Sequence, residues 1–220
     1  MNGLKSRFVP ATGLGVFLKW YDPLVARFTR EKLVKEHLLE RLRDVAGLKI
    51  LDVGCGTGTL ALSIVQNNPD ALVIGLDIDS RILKQASRKA LGAGGAERVT
   101  WVEASALSIP LQDAGLDAVS CSLFFHHLDH REKQAVLVEI FRVLRPRGRF
   151  VVADYGKPKN YWAALRFVLV RALDGWSRTR DNRQGSLPAL IRETGFESVV
   201  ETLELETWLG TLRCWEATKP

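Results

Sequence analysis

A chain of 220 residues, 46% hydrophobic and 25% charged, has the size and balance of one folded domain with a full core, which excludes a disordered, fibrous or disulfide-stapled class. No apolar run reaches the roughly 18 to 20 residues of a spanning helix and the N-terminus lacks a signal-peptide pattern, so a cytoplasmic location is the expectation. The net charge of +6 leans toward anionic partners, and Cys55, Cys121 and Cys214, without paired spacing, read as reduced thiols.

After a short basic start, Leu24, Val25, Phe28, Leu33, Val34, Leu38, Leu39, Leu42 and Val45 fall at helical spacing, closed by Gly47. The pattern then predicts strands over 49–53, 72–78, 99–104, 117–123 and 149–154, separated by helices over 59–67, 80–91 and 131–144. Such alternation predicts a parallel sheet with helices on both faces. Gly92, Gly94 and Gly95 read as a helix stop. A helix is expected over 161–173, and Val199 to Leu205 and Thr211 to Ala217 read as antiparallel strands joined near Gly210. The divisions are an N-terminal helical cap (1–46), a core (47–154), a substrate-side segment (155–195) and a terminal hairpin (196–220), all within a single domain spanning 1–220.

The densest chemistry lies at the end of the first strand, in Leu51-Asp52-Val53-Gly54-Cys55-Gly56-Thr57-Gly58. Glycines at alternate positions let a strand turn sharply into a helix and let a ligand approach the backbone. A dinucleotide fingerprint would need its third glycine at Thr59, and a phosphate-gripping P-loop would need a Gly-Lys-Ser/Thr that is absent. Asp77 ends the second strand, where a carboxylate can accept two hydrogen bonds from the cis-diol of a ribose. The competing reading is that Asp77 caps the helix starting near Ser80; the glycine loop ahead of it favours the ribose.

Asp-x-Gly-x-Gly-x-Gly resembles motif I of the class I methyltransferases that use S-adenosylmethionine (SAM). Further landmarks follow in order: Ile109-Pro110-Leu111, Leu116-Asp117-Ala118-Val119, Phe125-His126-His127-Leu128 and Leu144-Arg145-Pro146-Arg147-Gly148-Arg149-Phe150. Over Lys49 to Asp154, about half the chain, the sequence is similar to the subfamily containing the ubiquinone and menaquinone methyltransferases. The resemblance implies an α/β, Rossmann-like, doubly wound sheet of seven strands, mostly parallel with an antiparallel last strand, plus N-terminal helices. It implies SAM as cofactor, S-adenosylhomocysteine (SAH) as product, and a SAM site drawn from Tyr21, Asp52, Gly54, Cys55, Gly56, Thr57, Gly58, Asp77, Ile78, Ser105, Ala106, Ser122 and Leu123. Tyr21 belongs to Trp20-Tyr21-Asp22, which resembles an aromatic-Asp pair that folds over the methionine portion of SAM; Asp22-Pro23 also suits a helix start. One departure stands out: the acidic residue that the subfamily usually places beside the adenine aligns with Ser105, with Glu103 two residues away.

The sulfonium of SAM already activates the methyl, so the main task is to hold an acceptor in line in a dry site. A base is needed only for an acceptor that loses a proton, and His126, His127, Asp154 and Tyr155 are the candidates, with His126, His127 and Tyr155 taken as the catalytic set. No metal is expected, because neighbours such as His126, His127, Asp129 and His130 on an extended segment point opposite ways. In the helix over 161–173, Trp162, Leu165, Val168, Leu169, Ala172, Leu173 and Trp176 form one apolar stripe, with Phe167 and Val170 opposite. A helix apolar on both sides requires two burial partners, one of them the core. Basic flanks at Lys157, Lys159, Arg178, Arg180 and Arg183 suit peripheral contact with an anionic membrane, at its inner face. The expected acceptor is therefore hydrophobic or amphipathic, a phospholipid amine or a quinone-like phenol. The alternatives are a soluble metabolite, or a SAM-binding scaffold without activity. Nucleic acid is disfavoured for want of an RNA-binding module or an Asn-Pro-Pro-Tyr-like motif, and a monomer or a homodimer is left open.

Overall fold

The computed structural model describes residues 30–43 and 48–220. Tyr21, the Trp20–Asp22 segment, and the ends of the first helix, from Leu24 and at Val45 and Gly47, lie outside the described residues.

In chain order the elements are α1 (Glu31–Leu42), β1 (Lys49–Val53), α2 (Thr59–Asn67), β2 (Leu72–Asp77), α3 (Ser80–Leu91), β3 (Val99–Glu103), β4 (Leu116–Ser122), α4 (His130–Val143), β5 (Leu144–Tyr155), α5 (Tyr161–Asp174), α6 (Arg180–Gln184), α7 (Leu187–Glu193), β6 (Glu197–Thr207) and β7 (Gly210–Thr218), with single 3₁₀ turns at Ala96–Arg98 and Phe125–His127. One seven-stranded sheet runs β3-β2-β1-β4-β5-β7-β6. Strands β1 to β5 pair in parallel, and β7 alone runs against both of its neighbours. The order reverses between β1 and β4, so a crevice opens beyond their carboxyl ends, and the glycine loop and the histidine pair both leave the sheet there.

The central strands are apolar on both faces because helices cover both. In β5, Phe150 and Val152 enter one core with Leu137 and Ile140 of α4 and Leu190 of α7, while Val151 and Ala153 enter the other with Leu38 of α1, Ile64 of α2 and Phe167 of α5. α1 buries Val34, Leu38 and Leu42, one residue per turn, and each such side chain contributes about 1.5–3 kcal/mol. α4 begins with a complete capping box: Asp129 accepts from Glu132 N, and the Glu132 carboxylate accepts from Asp129 N.

The helices over 59–67 and 80–91 have the bounds that spacing predicts. β5 is longer than expected. It starts as soon as α4 ends, and its first residues pass Leu116 through a register shift that Arg147 accommodates at φ 62°. β6 likewise extends to both sides of 199–205 through two bulges, with Ser198 at φ 50°. α6 and α7 are too short for apolar periodicity to reveal.

Candidate active site

The loop after β1 is drawn around the end of β2 by backbone hydrogen bonds. Gly54 N and Cys55 N donate to Leu76 O at 2.8 and 3.0 Å, and Gly58 N donates to Cys55 O at 2.9 Å. Gly54, Gly56 and Gly58 adopt φ of 66°, 53° and 72°, the left-handed region that side chains resist. A Cβ on Gly54 would lie 2.4 Å from the Phe124 ring and one on Gly58 2.2 Å from Trp101, whereas one on Gly56 would meet nothing within 4 Å. The outer two glycines admit aromatic rings of the protein, and the middle one faces open space. Thr57 is half-buried with its hydroxyl 3.4 Å from that of Thr59.

Asp77 ties this loop to the second strand. Its carboxylate accepts from Gly56 N through Oδ2 and from Asp79 N through Oδ1, both at 3.0 Å. The helix cap is supplied instead by Asp79, which accepts from Arg81 N at 2.9 Å. The Asp77 carboxylate keeps acceptor capacity for a further donor, and burial raises its pKa despite backbone hydrogen bonds from Asp79, Gly56 and Ile78. Ile78 beside it is 40% exposed, an apolar platform next to the carboxylate. Glu103 pairs in register with Asp77 and is exposed, while Ser105 follows the strand and accepts from Leu107 N at 3.2 Å, with Ala106 buried beside it.

Asp52 lies under the loop, 2% exposed. Ser120 Oγ donates to its Oδ1 at 3.1 Å, and Oδ2 has no partner. Burial pushes its pKa up to about 7. Cys55 is buried too, and burial, with the Asp52 and Asp77 charges, holds its thiol protonated. Ser122 ends β4, and Leu123 turns the chain at φ 55°, donating its N–H to Ala153 O at 2.8 Å. An aliphatic residue in this region is strained, as is frequent beside ligand sites.

Two histidine–carboxylate pairs stand beyond this turn. His126 Nδ1 donates to Asp154 Oδ1 at 2.9 Å; since a carboxylate only accepts, this nitrogen carries the proton. Asp154, fully buried, also receives Tyr155 N at 2.7 Å, Asn182 Nδ2 at 3.2 Å and His126 N at 3.3 Å. Burial works against the His126 charge, but Asp154, followed by Asp174, outweighs it and raises the pKa; reciprocally, Asp154 overcomes its own burial and is lowered, chiefly by His126. His127 Nδ1 lies 2.9 Å from Asp174 Oδ1, at the last residue of α5. Burial and the neighbouring His126 lower the His127 pKa against the pull of Asp174. His127 therefore stays a neutral base where His126 tends to be charged. Tyr155 is 3% exposed, its ring 5.1 Å from those of both His126 and Phe167.

A family described as methyltransferase domain matches residues 50–148. The demethylmenaquinone methyltransferase of Thermus thermophilus is 42% identical over 115 residues, which are 52% of this chain and 50% of that protein, so the chain spans about half the length of that relative. The O-methyltransferase rstn1 of Aspergillus nomiae is 33% identical over 198 residues, 87% of this chain and 83% of that one. The chain belongs to the SAM-dependent methyltransferase family. Its fold is that of the magnesium protoporphyrin IX methyltransferase of Synechocystis with bound SAH, at a TM-score of 0.67 and 21% identity, covering 86% of this chain and 84% of that one.

The residues of this methyltransferase fit SAM. The space over Gly56 would admit the nucleoside against the backbone, Asp77 would offer its remaining acceptor capacity to a ribose diol, and the partnerless Asp52 oxygen under the loop would, when ionised, supply a negative focus for a cationic part of the cofactor. SAM supplies a methyl already activated on a sulfonium. Asp52, Gly54 to Gly58, Asp77, Ile78, Ser105, Ser122 and Leu123 all lie at the carboxyl ends of β1 to β4, as the motifs imply.

Other contributors carry no sequence signal. Trp101 lies across Gly75 and Gly58 and supports the loop, but a single tryptophan in a strand looks like any core residue. Asp174 reaches His127, and Asn182 reaches Asp154, from sequence-distant helices, and nothing in their spacing marks them. A metal would find one ligand atom each on His126, His127 and Asp174, all within 4.8 Å: the two histidines lie on a 3₁₀ turn with their rings 3.9 Å apart, not on an extended segment that points them opposite ways. Asp129 caps α4, and His130 pairs with Asp181 at 3.2 Å.

Proposed function

We propose that this methyltransferase transfers the methyl of SAM to a hydrophobic or amphipathic small molecule, a quinone-like phenol or a phospholipid amine, at an anionic membrane surface. The observation that carries the reading is the outer face of α5. Trp162, Leu165, Leu169 and Leu173 are 66, 51, 55 and 77% exposed, whereas Ala163, Phe167 and Val170 of the same helix are buried against the sheet; Trp176, just past the helix end, is 56% exposed. Apolar side chains gathered on one exposed face mark a surface for lipid, ligand or protein. The helix ends at Asp174, which holds His127, so an acceptor lying along α5 would present its polar end to that histidine. The name of the Thermus relative, a demethylmenaquinone methyltransferase, supports a quinone-like acceptor, and that of the Aspergillus relative, an O-methyltransferase, supports oxygen as an atom to test.

In this reading Asp174 orients the imidazole, and neutral His127 takes the proton from an acceptor hydroxyl as the methyl is transferred, or from an ammonium before the freed amine attacks. The buried His126–Asp154 pair fixes the turn that carries it. Among the described residues no helix is long and apolar enough to cross a membrane, so contact would be peripheral.

Titration with SAM and SAH comes first, because absence of both bindings would leave only a scaffold. The decisive measurement is transfer of labelled methyl to a prenylated hydroquinone, a phosphatidylethanolamine and water-soluble phenols, with and without anionic vesicles. Methylation of the first or second, stimulated by vesicles, is the expected result. Methylation confined to the soluble phenols, with no vesicle binding at low salt, would replace the membrane reading by one of a soluble metabolite.

A further inference from the structure

We propose that the cleft between the end of α5 and α6 is a binding site for a phosphate group. Arg171, Trp176, Arg180, Arg183 and Gln184 line an opening of about 310 Å³. Three guanidinium groups meet there without a carboxylate in ion-pair range among the described residues: Asp174 is held by His127, and Asp181 by His130 and Lys133. Arg171 lies 4.1 Å over the Trp176 ring, and its Nε is buried with no partner. The charges most felt by Arg171 come from Arg183, a like charge, and burial acts in the same direction, so both pull its pKa below the ordinary guanidinium value. Gathering like charges around a partly buried donor costs free energy, and an anion in the cleft would reverse the sign of that cost. Guanidinium groups suit phosphate better than other anions, because their planar pairs of N–H donors match two phosphate oxygens at once.

The arginines also sit on a braced support. The fully buried Lys133 Nζ donates to Leu128 O at 2.8 Å and to Arg178 O at 2.5 Å and lies 3.4 Å from Asp181, pinning the turn before α6 onto α4. Thr179 Oγ1 donates to Gly175 O at 2.8 Å within the same turn. Arg180 and Arg183, three residues apart on α6, therefore project from a fixed base.

The cleft opens at the same end of α5 as Leu173 and Trp176, so a phosphate held there could belong to an amphiphile whose apolar part follows the exposed face of the helix. That connection to the acceptor or its membrane rests on the proposed function; the phosphate site itself does not. The shared chemistry is a phosphate ester, either a lipid headgroup or a soluble molecule.

The test is calorimetric titration with inorganic phosphate against chloride at constant ionic strength, with co-sedimentation on phosphatidylcholine vesicles with and without phosphatidic acid. Arg180→Gln/Arg183→Gln, at two exposed positions, is compared with the unaltered chain, and SAH affinity is measured in both as a check on the fold and the cofactor site. Phosphate should bind in preference to chloride, and the double variant should lose about tenfold or more while SAH affinity is unchanged. Vesicle binding that depends on phosphatidic acid and is lost in the variant assigns the site to a lipid headgroup; phosphate binding without that dependence assigns it to a soluble ester. Equal response to phosphate and chloride, or equal phosphate binding in the variant, overturns the proposal. Neither result touches the methyl-transfer reading, which stands or falls on SAM binding and turnover.

Discussion

Asp174, the last residue of the helix with the exposed apolar face, is bound to His127 at 2.9 Å, so the surface that would receive an acceptor and the candidate base move as one piece. For an acceptor that loses a proton, His127→Ala should lower kcat by about 10²–10⁴ with SAH affinity retained. Asp174→Asn should lower kcat less, since the imidazole remains. The His127 pKa lies below its ordinary 6.5, so kcat/KM should stay level through neutral pH and fall only below that value. Because Asp174 pulls that pKa up, the acid limb of Asp174→Asn should lie lower still. An acid limb above pH 6.5 that His127→Ala leaves in place would show that another group is titrating.

Asp77 should dominate cofactor affinity. Asp77→Ala removes both the ribose acceptor and the anchor of Gly56 N, and SAH binding should weaken by about 10- to 100-fold. Asp77→Asn, which keeps one acceptor oxygen, should fall between the two. Calorimetry with SAH measures the series, and an unchanged affinity for the alanine variant would remove Asp77 from the site.

Trp101 and the two glycines beneath it make a separable pair of tests. Gly75 has ordinary backbone angles, and a Cβ there would meet Trp101 at 2.5 Å, so Gly75→Ala should cost about 1–3 kcal/mol by overpacking. Trp101→Leu should recover part of that loss in a double-mutant cycle. Gly58→Ala should not be recovered in the same way, because φ of 72° strains any side chain whatever the space. Denaturant unfolding of the variants decides between clash and backbone strain.

The His126–Asp154 pair predicts a stability window. The raised His126 pKa adds stability that is full below its ordinary 6.5 and fades as pH rises through the higher native value. Asp154 contributes above its ordinary 3.8, and that contribution is lost as pH falls through the lower native value. Between those limits Asp154→Ala leaves a buried imidazolium without its partner and should cost about 3–5 kcal/mol. The loss should shrink as pH rises through the native His126 pKa, above which the imidazole is neutral in both states. Thermal unfolding of the variant across pH provides the check.

Asp52 should act in the opposite sense to Asp154. Its native pKa of about 7 exceeds the ordinary 3.8, so the folded chain binds the extra proton and loses stability as pH rises between those values. Asp52→Asn should therefore raise Tm at pH 8 more than at pH 5, while weakening SAM binding through loss of the negative focus. A Tm gain independent of pH would mean that Asp52 ionises freely in the native state.

Much of this architecture was legible because central parallel strands and apolar-patterned helices carry strong signals: the helices from Thr59 and Ser80 fall where spacing puts them. The glycine loop was legible for a different reason, since positive φ at Gly54, Gly56 and Gly58 allows few other residues. What escaped depends on distance in the chain. Asp174 and Asn182 acquire their partners only when α5 and α6 fold back over the sheet, and Lys133 looks like one more charged helix residue until its ammonium is enclosed by two carbonyls. The bulged ends of β5 and β6 were hidden by residues whose outward side chains break the apolar pattern.

The insertion of β7 between β5 and β6 has a consequence for the order of assembly. During synthesis the five parallel strands can pair in sequence, but β5 keeps a bare row of amide and carbonyl groups on its far side until Gly210–Thr218 emerges. In the finished sheet β6 pairs with β7 and not with β5, so it is β7 that fills that row. The growing chain thus carries an unprotected edge through the making of some fifty further residues, the interval in which strand-to-strand association with another nascent copy competes with completion of the sheet.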